Sequence, residues 1–403
     1  MTFTLGVIVF AVGIAVSVML HEAGHLLTAK SFRMKVTQYF VGFGPTLWSF
    51  RRGETEYGVK AIPAGGFCKI LGMTPMDDDL KPAEQHRAFW RFPVWKRTIV
   101  LAAGSAVHFL VAFLLLYLAV TAVGIPDNRA RVGHVDNCVS TDPAATACQA
   151  GKDPAAPAAA AGLRSGDEVV SVDGVRTKTW EDLVDQVRKR GGRDVTLVVS
   201  HDGRTRTVHT TPVPVARYTY DDAKHPKKTK QVGALGIQAS TSRTYGPVAG
   251  VGASGRQFGS MLSATGHAIT GFPAKVGKLF SALDGKPRDP NTPISVYGAS
   301  RVGGQAIEAK QWVSTIGLLA ALNMFIGVFN LLPLLPLDGG HVAIAWFERL
   351  RSWLASARRR PDPGRVDYNK LLPITYAVIL LFGGVSLLTI TADIVNPIAN
   401  PFQ

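Results

Sequence analysis

The sequence predicts a polytopic α-helical membrane protein of about four transmembrane helices, with a membrane-associated β-hairpin region and one inserted α+β domain. Three observations carry this. The chain has 403 residues, 47% of them hydrophobic, and its mean hydropathy of +0.15 is high for a soluble protein of that length. Four apolar stretches, near 4–26, 98–124, 312–337 and 371–393, are long enough to cross a bilayer, which takes about 20 residues. Between the second and third lies a long polar segment with the composition of a soluble domain.

In order, the expected parts are a first span (1–30), a loop with β-structure (31–97), a second span (98–124), the insert (125–215), a linker with an interfacial segment (216–311), a third span (312–341), a loop (342–370) and a fourth span (371–395). No Lys or Arg precedes the first stretch and no Ala-x-Ala site follows it, so it reads as a retained span rather than a signal peptide. In the next loop, "ETEYGVKAI" (54–62) alternates polar and apolar residues, the period of a strand, between the turn-like phrases "VGFGP" (41–45) and "PAGGF" (63–67). Residues 73–95 are charged and read as surface loop. In the insert, "VGHV" (132–135) and "EVVSVDGV" (168–175) read as strands, the second ending in an Asp-Gly turn. A helix starts at Thr179, an N-cap with Asp182 three residues on, and stops at Gly191 and Gly192. "VTLVVS", "HDG" and "TRTVHT" form a hairpin. Residues 216–231 read as a basic loop, and 244–285 as a weakly amphipathic interfacial segment.

The net charge of +15 has a topological reading. Loop 30–97 carries a dozen Lys and Arg and loop 349–370 carries seven, which places both in the cytoplasm. Four spans then put both termini and the insert outside. No basic patch interleaved with aromatics argues for nucleic acid. Cys138 and Cys148 lie close together in the outside insert and are expected to be bonded, whereas Cys68, alone in a cytoplasmic loop, reads as structural.

"SVMLHEAGHLLTAK" (17–30) puts two histidines and a glutamate inside an apolar span, where ionisable groups are expensive and mark function. His21 and His25 are four apart, on one helix face, and can hold one metal. Zn²⁺ suits neutral imidazoles, and a catalytic zinc takes three protein ligands. Glu22 lies about 100° round the helix from His21, close enough to take a proton from a water that the metal activates. Two solvated histidines are the bland alternative, but burial in a span makes that costly. The third ligand should lie at similar depth. Asp338, in "NLLPLLPLDGGH", is the acid at the edge of another apolar span, after two helix-breaking prolines, Pro333 and Pro336. His341 is its rival. Asn330, in the apolar part of that span, either holds a substrate backbone or an oxyanion, or is interhelical glue.

HEAGH in the first span, "VGFGP", "IPAGGF" and N-x-x-P-x-x-P-L-D-G-G in the third span resemble the site-2 protease family of intramembrane zinc metalloproteases, most of all its actinobacterial members. "AAGLRSGDEVVSVDGV" resembles a PDZ domain of the permuted bacterial type. The resemblance implies one Zn²⁺ per chain on His21, His25 and Asp338, with Glu22 as general base. It implies that Asn330 and Pro333 shape the substrate cleft, that Gly65 and Gly66 lie along it, and that the 54–62 strand pairs with an unwound substrate helix. The expected substrates are transmembrane segments of single-pass proteins such as anti-sigma factors, in a plasma membrane, with the active site toward the cytoplasmic side; lipid is the other partner and nucleic acid is none. One departure is visible. The family often carries G-P-x-x-N in the second span, and here "GSAVH" (104–108) puts His108 where Asn is usual. Two rival classes, a PDZ scaffold with a vestigial metal site and a metal transporter, fit less well. The first would most easily lose Glu22; the second lacks further polar residues along a path through the spans.

Overall fold

The computed structural model describes residues 3–73, 82–143, 148–218, 229–240, 242–283, 288, 292–398 and 400–402. The chain begins with α1 (Phe3–Ser31), turns into β1 (Val36–Arg52) and β2 (Thr55–Ile70), and enters α2 (Val94–Leu118), which a π-helical turn extends to Val123. Then come β3 (Ile125–Pro126), β4 (Val132–Val135), α3 (Pro157–Ala160), β5 (Glu168–Val172), β6 (Val175–Arg176), α4 (Trp180–Arg188), β7 (Val195–His201), β8 (Arg204–Thr210), β9 (Val213–Tyr218), β10 (Thr229–Ala234), β11 (Ile237–Ala239) and β12 (Ser242–Arg243). The last part is helical: α5 (Pro247–Thr270), α6 (Phe272–Leu283), α7 (Val296–Glu308), α8 (Trp312–Asn330), α9 (Asp338–Ala357) and α10 (Leu372–Val395). Two compact units result, one from 1–123 with 245–403, the other from 124–244.

In the first unit, four helical segments among the described residues are long and apolar enough to cross a membrane: Phe3–Ser31, Val94–Val123, Trp312–Asn330 and Tyr368–Val395. Helices satisfy their own backbone, which hydrocarbon demands. They meet where small residues let backbones approach. Gly24 of α1 lies against the Ala103 carbonyl of α2, and Gly303 of α7 lies under the Phe10 ring. The end of α10 is tied down by an ion pair, Arg288 to Asp393, whose side chains are 1% and 3% exposed. Asp393 also accepts from the Ser295 backbone and hydroxyl at 2.7 and 2.6 Å.

The β-region departs from the expected turn–strand–turn. β1 runs straight through "VGFGP", with Gly42 and Gly44 at φ 90° and 81° absorbing an irregular register. Gln38–Val41 pairs on one side with Gly66–Lys69 and on the other with Glu56–Val59, which itself pairs with Trp48–Arg51. The 54–62 segment is therefore interior to the sheet, and Gly66–Lys69 is an outer rung. The sheet is seated on α1: the Tyr39 hydroxyl donates to Met19 O at 2.8 Å, and Lys30 donates to the Tyr57 hydroxyl at 2.7 Å. Leu26, Ala29, Met34, Val36, Ile70, Phe89, Val100 and Leu101 form the core beneath it.

Two other expectations change. The third span stops being helical at Asn330, and the 342–370 loop begins inside α9, which runs on to Ala357. Part of the expected surface loop 73–95 lies outside the described residues; Pro82–Arg87 and Phe89–Arg91 form 3₁₀ turns.

The second unit holds a four-stranded antiparallel sheet in the order β6-β5-β7-β8, with the pairs β4–β11, β9–β10 and β3–β12. Thr179 and Asp182 make a reciprocal capping box on α4. Val169, Val172, Leu183, Leu197 and Val199 belong to one buried core. Residues from 216 on, expected in a linker, complete β9 and supply β10 to β12, and 219–228 and 241 lie outside the described residues. β4 is not an edge: β11 pairs with one side, and Val132 exchanges backbone hydrogen bonds with Gly166 and Asp167 on the other. A cleft of about 590 Å³ lies between α4 (Trp180, Leu183, Val187) and Gly233–Ile237. A disulfide joins Cys138 and Cys148, which also line it.

Candidate active site

His21 and His25 point from one face of α1 into the helix packing, 7% and 6% exposed. Asp338 reaches them through backbone chemistry that its neighbours supply. α8 ends at Asn330, and residues 331–337 turn without helix through Pro333 and Pro336 before α9 starts at Asp338. That turn folds tightly on the new helix. A Cβ on Gly339 would strike the Leu331 carbonyl, and one on Gly340 would lie 2.7 Å from Leu334 C. The double glycine is what lets Asp338 sit so close behind the break.

Three donor atoms converge. His21 Nε2 lies 3.1 Å from His25 Nε2. Asp338 Oδ2 lies 3.3 Å from His21 Nε2 and 3.4 Å from His25 Nε2. A tetrahedral ion with bonds of about 2.0–2.1 Å has ligand atoms roughly 3.3 Å apart, so these edges fit zinc. The protonation pattern agrees. His25 Nδ1 faces the Val100 carbonyl at 2.8 Å and must donate to it, so the neutral ring aims its Nε2 lone pair at the other two. Asp338 Oδ2 is buried without a hydrogen bond among the described residues. Lone pairs facing one another in a buried site call for a cation.

Glu22 follows His21 on the helix, and Gly66 of β2 passes beside it: a Cβ there would lie 3.2 Å from Glu22 Cγ. The outer rung of the sheet thus runs past the acid. Gly65, at φ 137°, packs on the Phe43 ring. Asn330 is half-buried at the end of α8, and its side chain makes no hydrogen bond among the described residues; Pro333 is exposed on the turn. The His341 ring turns to Tyr368, with Nδ1 3.4 Å from the hydroxyl, so Asp338 alone of the two joins the histidines. Burial, then the Glu22 carboxylate, pushes the Cys68 thiol up to about 12, which leaves it an inert thiol.

Sequence reasoning missed three contributors. The Val100 carbonyl orients His25. Gly104 leaves room for both rings: a Cβ there would lie 2.6 Å from His21 Nδ1 and from His25 Nε2. Asn323, fully buried, accepts from His108 Nδ1 at 2.9 Å and donates to Ser17 Oγ at 3.1 Å. A polar residue amid "LLAALNMFIGVF" was its signal.

This arrangement has relatives. The chain is 42% identical to the zinc metalloprotease Rip1 of Mycobacterium tuberculosis over 99% of both proteins. It is 41% identical to the Rip1 of Mycolicibacterium smegmatis over the same shares. It is 23% identical to the regulator of sigma-W protease RasP of Bacillus subtilis, over 86% of this chain and 90% of that protein. Both histidines, the β-region, the second unit and the turn with Asp338 all fall within residues 9–361, which match the model of peptidase family M50 in one stretch; the chain belongs to peptidase family M50.

Proposed function

We propose that the protein is a zinc-dependent endopeptidase that cuts the transmembrane segments of single-pass membrane proteins, anti-sigma factors among them. The observation that carries this is the donor triangle of His21, His25 and Asp338, with zinc-sized edges, at the end of an apolar helix that also holds Glu22. His21, His25 and Asp338 are the ligands. Zinc, when bound, supplies Lewis acidity toward the scissile carbonyl and the attacking water. Glu22 takes the proton from that water and hands it to the leaving amine.

A peptide bond in a transmembrane helix is shielded by its own hydrogen bonds, so the substrate must be held extended. Gly66–Lys69 is the rung for this: it is an outer strand, and it passes Glu22. A substrate strand added there gains main-chain hydrogen bonds, and the missing side chains of Gly65 and Gly66 let it approach. This replaces the 54–62 segment as the pairing strand. Asn330 and Pro333 shape the opposite wall. Phe43, Leu47, Trp48, Phe50 and Ile62, all exposed, dip this sheet into the bilayer. The basic loops keep it and the active site on the cytoplasmic side, with both termini and the second unit outside.

The second unit is a PDZ-like domain that selects substrates by size. Its chain leaves the second span at Gly124 and enters α5 three residues after Thr244, a tether on both sides. The cleft beside α4 favours a second reading, docking of a trimmed substrate's end, with β11 as the pairing strand. Replacing residues 127–241 with a short flexible linker separates them. The filter predicts that untrimmed substrates become cleavable and trimmed ones are cut as before. Loss of trimmed-substrate cleavage, with zinc retained, would favour docking.

The core reading is tested with Glu22→Ala in detergent-purified protein. One zinc per chain should remain while cleavage of a transmembrane substrate stops. Undiminished cleavage would end the mechanism.

A further inference from the structure

α2 presents Val100, Gly104 and His108 at intervals of four, along one face. Opposite them on α1 stand His25 and His21. Val100 serves His25 through its carbonyl, and Gly104 leaves space. His21 has no such partner. Its Nδ1 is buried with no hydrogen bond among the described residues. A histidine that gives Nε2 to a metal carries its proton on Nδ1, and that N–H nearly always meets a carboxylate, a carbonyl or water. The next side chain on the α2 face is His108. It is 1% exposed, and its ring lies 4.9 Å from that of His21, tilted by 39°.

The tautomer of His108 follows from Asn323. The Asn323 amide donates to Leu319 O at 2.8 Å and to Ser17 Oγ at 3.1 Å. Both of its hydrogens are spent. Flipping the amide would set two carbonyl oxygens face to face at Leu319, so the orientation is fixed. Its Oδ1 then faces His108 Nδ1 at 2.9 Å and can only accept. His108 therefore carries its proton on Nδ1 and a lone pair on Nε2. Ser17 completes the chain by donating to Gly13 O at 3.0 Å. Three helices contribute, and Ser17, His108 and Asn323 are all buried.

We infer that Ser17, Asn323 and His108 form a second polar layer for the metal site, in which Asn323 holds His108 so that its Nε2 accepts the Nδ1–H of metal-bound His21. His108 is a positioning residue, acting through His21. The inference rests on the ligand role proposed for His21. The two rings touch without a hydrogen bond in this structure, and the bond belongs to the metal-loaded protein. The competing account is interhelical glue, which needs no acceptor on the His21 side.

Three variants of the full chain in detergent separate the accounts: His108→Phe, which keeps a ring but offers no acceptor, His108→Gln, which restores one, and Asn323→Leu. Zinc affinity is read by chelator competition, ligand geometry by the visible absorption of the Co²⁺-loaded protein, and folding by thermal unfolding of the metal-free protein. His108→Phe should bind zinc about 10–100-fold more weakly and shift the Co²⁺ bands, while metal-free unfolding barely moves. His108→Gln should recover most of the affinity. Asn323→Leu should weaken binding, and the double variant with His108→Phe should be no worse than His108→Phe alone. Wild-type affinity in His108→Phe, or equal losses in Phe and Gln, overturns the inference. Should His108→Phe fail to fold, ¹⁵N spectra of His108 in the native zinc protein decide: a proton on Nδ1 is expected, and one on Nε2 overturns it. A wild-type chain that holds no zinc would sink the parent reading, a result distinct from both.

Discussion

Gly104→Ala should dismantle the metal site with one methyl group. The added Cβ would lie 2.4 Å from His21 Cε1 and 2.6 Å from both His21 Nδ1 and His25 Nε2, against about 3.4 Å for an ordinary contact. Something must move by roughly 1.0 Å, the difference between 3.4 Å and the closest of these. Two routes exist. If the rings move, the shift is about five times the ±0.2 Å that metal–ligand distances tolerate. If α1 and α2 separate instead, a gap of 0.5–1 Å forfeits about a quarter to a half of each lost contact, and Gly24 no longer rests on Ala103. The expected outcome is a cleavage rate down about 100-fold or more, zinc content well below one per chain, and a stability cost of about 1–3 kcal/mol. Gly384→Ala is the control, since nothing lies within 4 Å of a Cβ there. Zinc is measured on the purified variants, and cleavage on a transmembrane substrate in the same detergent. Full zinc and wild-type cleavage in Gly104→Ala would refute the claim that helix packing sets the ligand geometry.

Asp338→Asn should lose zinc and activity together, whereas His341→Phe should keep zinc; the reverse pattern would make His341 the third ligand. Removing the disulfide with Cys138→Ala and Cys148→Ala should cost the second unit about 2–3 kcal/mol, from the entropy of a short closed loop, read as an earlier urea transition; no shift would show that the loop is already ordered without it. Asp393→Ala strands a buried guanidinium that Asp393 now meets, so thermal unfolding should come earlier by the equivalent of about 3–5 kcal/mol. An unchanged midpoint would mean that the Thr292 hydroxyl and the Pro293 and Asn396 carbonyls, which already accept from Arg288, are enough to hold its charge.

Much of the fold was legible because lipid simplifies the code. A spanning helix needs only length and apolarity, and the four stretches 4–26, 98–124, 312–337 and 371–393 answer to α1, α2, α8 and α10. The β-region was harder. Gly42 and Gly44 have positive φ, as a turn would need, but they serve a bulged strand. Local glycine chemistry is the same in both; pairing with distant strands decides. α7 was invisible for another reason. "VYGASRVGGQAIE" is a poor helix former, and it is helical because its glycines pack on Phe10 and Val7 of α1. α9 did leave a signal. Trp346, Phe347, Leu350, Trp353 and Leu354, all exposed, recur at helical spacing, but the surrounding arginines made the segment read as a loop.

The site divides along a different line. The cluster of His21, His25 and Asp338 was legible, the histidines because metal chemistry needs particular side chains at a particular spacing, and Asp338 because acids are scarce at that depth. What escaped notice has no letter of its own. The Val100 carbonyl exists at every residue, and Gly104 contributes by having nothing there. Asn323 is the instructive case, because the same helix ends in Asn330, which opens the conspicuous N-x-x-P-x-x-P-L-D-G-G phrase. Seven residues turn a helix by about 700°, nearly two full turns, so the two amides share a face and periodicity cannot rank them. Depth can. Asn330 sits at the end of α8 beside the break, half-buried. Asn323 is two turns further in, 0% exposed, with each of its amide atoms committed to protein. An amide so placed does not face substrate; it holds something that does not move. The one titratable side chain it holds is His108, which touches His21, so the departure from the family's usual asparagine falls where the second span meets the metal ligands.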